Sequence, residues 1–170
     1  MRKGFTLIEF LIYIAIVSSI LVLMSGFLWN IVFGNIKETA YQEVQQNGRF
    51  ALTKISQEIK KATGIISPAN PGDVSDSLTV LMADGSNTIF SVTGDKLRIT
   101  QGSPSVSFYL TSDEVKIINL QFTNLSYPNT PGTVRTEMTI EYLNPSGRLD
   151  YHASINLKST ISLVPGGASP

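Results

Sequence analysis

Three groups of residues in this sequence have types and spacings suited to chemistry. Strand alternation near the carboxyl end puts Asp150, His152 and Ser154 on one side, from which an Asp-His-Ser nucleophilic constellation can be drawn. The same alternation sends Tyr151, Ala153 and Ile155 to the other side, so the polar three read as the wet face of a half-buried strand. Neighbours on one strand rarely reach triad geometry, and no catalytic residue is assigned. Asp73, Asp76 and Asp84 offer the carboxylate oxygens that calcium takes. Their spacing fits no EF-hand loop, and acids in such positions form turns, so no metal ligand is assigned. The third candidate is a single side chain, Glu9, which stands alone in the most apolar part of the chain.

Composition removes several classes of function. The 170 residues contain no cysteine, which excludes a disulfide framework, Cys-ligated zinc and a cysteine nucleophile. Thirteen basic residues balance 13 acidic ones, so no nucleic-acid partner held by a basic surface is expected. Phosphate-cradling glycine patterns are missing, and no cofactor is expected.

The element that positions Glu9 is apolar: from Phe5 to Phe33, 22 of 29 residues are hydrophobic. Between Lys3 and Lys37, Glu9 is the only charged side chain. About 20 apolar residues suffice for a helix to cross a bilayer, so residues 5–36 are expected to span one. A cleavable signal peptide has an apolar core of about 7 to 15 residues closed by a small-residue cleavage site, and this run is far longer. Arg2 and Lys3 precede the span, which places the amino terminus in the cytoplasm and the rest outside. A carboxylate in hydrocarbon costs on the order of 2.5 to 3.5 kcal/mol, so Glu9 needs an offset. Either it reaches back toward the interface and Lys3, or it pairs with a positive charge brought by another chain.

The string Arg2-Lys3-Gly4-Phe5-Thr6-Leu7-Ile8-Glu9, followed by a long uncharged helix, resembles the processing and methylation motif of type IV pilins and type II secretion pseudopilins. The resemblance implies cleavage between Gly4 and Phe5 by a prepilin peptidase and N-methylation of Phe5 by the same peptidase/methyltransferase. It also implies that Glu9 neutralises the terminal amine of a neighbouring subunit during assembly, with Arg2 and Lys3 holding the leader in the cytoplasm. Ser25-Gly26 stands where many major pilins carry a proline. The stretch from Gln46 to Gly64 is similar to the corresponding helix of minor pilins and J-type minor pseudopilins.

Beyond the span, Tyr41, Val44, Gly48, Ala51, Leu52, Ile55, Ile59 and Ala62 recur at spacings of three and four, predicting an amphipathic stem over 37–64. With the span it would form one helix from Phe5 to Ala62, roughly 87 Å at 1.5 Å per residue. Residues 67–77 read as a loop, and strand signals follow at Leu78, Thr88, Lys96, Ser105 and Glu114. The apolar phase slips between Ile117 and Ile118, which predicts a bulge. Two alternating strands, Val134 to Tyr142 and Leu149 to Leu163, are joined by Asn144-Pro145-Ser146-Gly147 as a hairpin.

The expected organisation is a leader over 1–4, an assembly helix over 5–36, the stem, a β-rich domain over 65–164 and a flexible tail over 165–170. The fold class is α+β: a pilin-like long helix packed on an antiparallel sheet. The function read here is a structural subunit, a minor pilin or pseudopilin and no enzyme, held in the cytoplasmic membrane before joining a filament. Its partners would be other pilin or pseudopilin subunits, the prepilin peptidase, an inner-membrane assembly platform and the lipid bilayer. The alternative is a single-pass membrane protein with an external ligand-binding or sensory domain, in which Gly4 is not cut.

Overall fold

The computed structural model describes residues 6–128, 130–144, 147 and 152–164. It begins with one helix, α1 (Leu7–Lys61), whose 55 residues rise about 83 Å. Thr6 caps it in an extended conformation (φ −83°, ψ 146°), its hydroxyl accepting the Glu9 amide at 3.4 Å. Glu9 in the first turn and Lys60 and Lys61 in the last complement the helix dipole. The helix runs unbroken through Ser25-Gly26, where the Ser25 hydroxyl donates back to the Leu21 carbonyl at 2.8 Å.

The distal half presents one buried stripe: Ala40, Val44, Gly48, Ala51, Ile55, Ile59 and, just past the helix end, Ala62. Tyr41, expected in this stripe, is 43% exposed, and Ala40 takes its place. Position 40 lies one four-residue step before Val44, whereas position 41 is turned about 100° away. Leu52 is half-buried at the margin.

Nine strands follow: β1 (Ala62–Ser67), β2 (Val74–Ser75), β3 (Leu78–Met82), β4 (Asn87–Thr93), β5 (Lys96–Gln101), β6 (Val106–Tyr109), β7 (Val115–Asn124), β8 (Thr133–Tyr142) and β9 (Ser154–Ser162). They form two antiparallel sheets, ordered β1-β3-β4-β5-β6 and β2-β7-β8-β9, where a single sheet was expected. Both sheets contribute to one apolar core with the helix stripe, including Leu78, Phe90 and Ile99 from the first and Phe122, Met138 and Ile140 from the second. Two sheet faces bury more of these side chains than one face against one helix can. The expected loop over 67–77 contains β2, which pairs with Thr123 and Phe122 of β7.

The predicted bulge is present: the β7–β8 register shifts between Ile117 and Asn119, and Ile118 turns outward, 54% exposed. β8 and β9 pair from Thr133↔Ser162 to Glu141↔Ser154, the expected hairpin. Its turn is closed by the Gly147 amide on the Asn144 carbonyl at 3.2 Å, with Gly147 at φ 64°. Leu149, Asp150, Tyr151 and the tail over 165–170 lie outside the described residues.

Gly48 sets how closely α1 lies on the second sheet. A Cβ there would run into Leu157 Cδ1 and come within 3.2 Å of Ile155 Cδ1 and 3.3 Å of Ile140 Cδ1. Leucine at this position forces the helix off the sheet, so Gly48→Leu is expected to cost about 1–3 kcal/mol of stability. Thermal melting of the detergent-solubilised chain checks this; an unchanged midpoint would show that the helix does not rest there.

Candidate functional site at the amino-terminal helix

Among the described residues, one helix segment is long and apolar enough to cross a membrane, Leu7–Trp29. Its mean hydropathy is 2.6 and none of it is buried against the rest of the chain. Isoleucine, leucine, valine and phenylalanine face outward on every side of it, from Leu7 at 79% exposure to Trp29 at 62%. Such a surface has its natural medium in lipid or among similar helices.

Glu9 is the single charge on this surface, and the local structure says why the helix accepts it. It occupies the third helical position after the Thr6 cap, the place where a carboxylate faces unsatisfied amides and the positive end of the dipole. Thr6-Leu7-Ile8-Glu9 has the spacing of a capping box. Charge alone gives Thr6 no role; the four-residue spacing from Thr6 to Glu9 is the signal in the sequence that marks it as the cap. Arg2, Lys3, Gly4 and Phe5 lie outside the described residues.

The other candidates are placed apart from one another. The His152 imidazole Nε2 lies 3.6 Å from Glu141 Oε1, and Lys116 Nζ lies 3.4 Å from the other oxygen of the same carboxylate. His152 thus belongs to a surface charge group at the β7–β8–β9 margin, while Ser154 sits opposite Glu141 in the ladder. Asp150 is outside the described residues. Asp73 Oδ2 accepts from the Asn70 amide and from Asn70 Nδ2, each at 2.9 Å, closing a turn. Asp84 Oδ1 accepts from the Ser86 hydroxyl at 2.7 Å and amide at 2.9 Å, and these bonds hold its carboxyl below the usual range. Asp76 lies beside Ser77 and the Ile117–Leu120 bulge, away from both. On the outer face of the second sheet, Glu137 is held below the usual range by Lys158, whose Nζ donates at 2.7 Å, with Arg135 adding to it.

Residues 1–25 match the sequence family described as the prokaryotic N-terminal methylation motif. No curated protein and no solved structure matches the chain. The matched span takes in the basic pair, Gly4-Phe5, the Thr6 cap, Glu9 and the first turns of the apolar helix. The chain therefore carries the amino-terminal motif of type IV pilin and pseudopilin precursors.

Proposed function

We propose that this chain is a structural subunit of a type IV pilus or of a related secretion or competence pseudopilus. In this reading it is made as a membrane-anchored precursor, cut between Gly4 and Phe5, methylated on Phe5 and then packed into a filament through α1. The observation that carries it is Glu9, a lone carboxylate at the capped start of an exposed apolar helix. Cutting after Gly4 makes a new ammonium at Phe5, directly before the Thr6 cap. A positive charge there faces the positive end of its own helix dipole, so it gains from a carboxylate supplied by a neighbour. Glu9 of one subunit and the Phe5 amine of the next would remove two costs with one contact and fix the axial register between them.

Minor rank is supported by the likeness of the Gln46–Gly64 stretch to minor pseudopilin helices. Arg2 and Lys3 support a cytoplasmic amino terminus with the β-rich domain outside. The partners would be the peptidase, other subunits presenting the same kind of helix, and the assembly platform. In cells with an active prepilin peptidase, mass spectrometry of the amino terminus is expected to find a chain starting at methylated Phe5. Recovery of the chain with Met1 or Gly4 intact would refute the reading.

A further inference from the structure

A sheet edge with unpaired backbone groups is a template for another strand, and the edges of this protein are not equally protected. β9 carries Lys158 at its centre, β1 is bent by two register shifts, and β2 has two residues. β6 has none of these guards: its pairing with β5 is regular, and no charged side chain occurs from Gly102 to Ser112. Val106, Phe108 and Tyr109 are 57%, 41% and 55% exposed.

Pairing geometry shows which groups are free. The Leu110 amide donates to the Leu97 carbonyl at 2.7 Å, and the ladder continues as Tyr109↔Arg98, Phe108↔Ile99, Ser107↔Thr100 and Val106↔Gln101. Antiparallel alternation then turns the N–H and C=O of Phe108 and Val106 toward β5 and those of Ser107 and Tyr109 away from it. Two residues thus offer four backbone groups to an incoming strand.

The side chains specify what that strand carries. Leu78, Phe90, Ile99 and Phe108 lie in register across β3, β4, β5 and β6, so the core row runs out to the edge and ends at exposed Phe108. Beside it is a cleft of about 780 Å³, lined by Phe108, Val106, Gln101, Asp84, Glu58 and Lys61 among others. Glu58 is 6% exposed and paired to Lys54 at 2.7 Å, and Gln101 Oε1 is buried with no donor among the described residues. On the opposite face of β6, Lys96 Nζ lies 5.5 Å from the centre of the Tyr109 ring, which stays exposed.

We infer that β6 accepts an extended segment of a partner protein, with an apolar side chain against Phe108 and a Lys or Arg two positions along. The backbone of that segment bonds Ser107 and Tyr109. Its apolar residue completes the core row, and its cation meets Gln101 Oε1, the buried acceptor that no donor among the described residues reaches, and the Asp84 carboxylate across the cleft. This site does not depend on how the amino terminus is processed.

The test uses the full chain in detergent micelles, isotope-labelled for NMR, titrated with the blocked peptide Thr-Val-Thr-Lys-Thr and its Glu counterpart. The Lys peptide is expected to shift the Ser107 and Tyr109 amides at millimolar concentration, with the Glu peptide about tenfold weaker or more. Ser107→Pro removes one outward N–H at an edge position and is expected to abolish the response. Val106→Lys, at an exposed site on the cleft face, is expected to weaken the Lys peptide while the spectrum stays folded. No shift with the Lys peptide, or equal shifts with both peptides, would overturn the proposal. Broadening of the same amides with protein concentration alone would overturn it in favour of a second copy of this chain.

Discussion

Glu9→Leu is expected to leave membrane insertion intact or improved and to lower incorporation into filaments by roughly two to four orders of magnitude. The first half follows from the cost of a carboxylate in hydrocarbon, which leucine removes. The second rests on the proposed pairing with a neighbour's Phe5 amine. Breaking a buried pair by deleting one partner costs about 3–5 kcal/mol, because the other charge stays behind unpaired. The loss of capping geometry at Thr6 is smaller, at most about 1 kcal/mol, and acts at the far end of a long helix from the core. Membrane fractionation and sheared-filament immunoblots measure the two halves separately. Glu9→Gln keeps the shape and part of the hydrogen bonding, so it should rank between glutamate and leucine. Filaments or secretion unchanged in Glu9→Leu would remove the pairing role and leave Glu9 as a helix-start residue alone.

Local patterns in this sequence are legible to the extent that a local rule produces them. The long helix is readable because Phe10 to Ile36 holds no charge and no proline, and because Val44, Gly48, Ala51, Ile55 and Ile59 repeat at helical spacing. The bulge at Ile118 is readable because a period of two cannot absorb an extra residue without shifting phase. Tyr41 shows the limit of composition at the end of a stripe, where one position decides between buried Ala40 and an exposed ring. The division into two sheets was not legible, because alternation identifies strands and leaves their neighbours undetermined. β6 and β7 are adjacent in sequence and lie in different sheets, a choice made by packing across the core. At the amino terminus the order is reversed. Arg2, Lys3, Gly4 and Phe5 are legible only as sequence, while the Thr6 cap gives Glu9 a structural role that its charge alone did not reveal.

The core row that ends at β6 makes a second large prediction. Phe90 is fully buried, with Leu78 and Ile99 directly opposite it on the flanking strands. Truncating it leaves a cavity at the centre of the first sheet, so Phe90→Ala is expected to cost about 3–5 kcal/mol. A domain of this size has about 5–15 kcal/mol in total, so the variant retains a fraction of its stability and unfolds at much lower urea. Phe108 lies in the same row, one strand beyond Ile99, but is 41% exposed. Phe108→Ala is expected to cost about 1–2 kcal/mol, since the ring is already partly in water and only the covered part of its apolar area is lost. Urea titrations of the micelle-bound chain, followed by near-ultraviolet circular dichroism, measure both variants. Equal losses would mean that β6 is already covered in the isolated protein, which would leave its edge no room for a partner strand. A large gap between the two places the boundary of the core between Ile99 and Phe108, where the proposed partner would extend it.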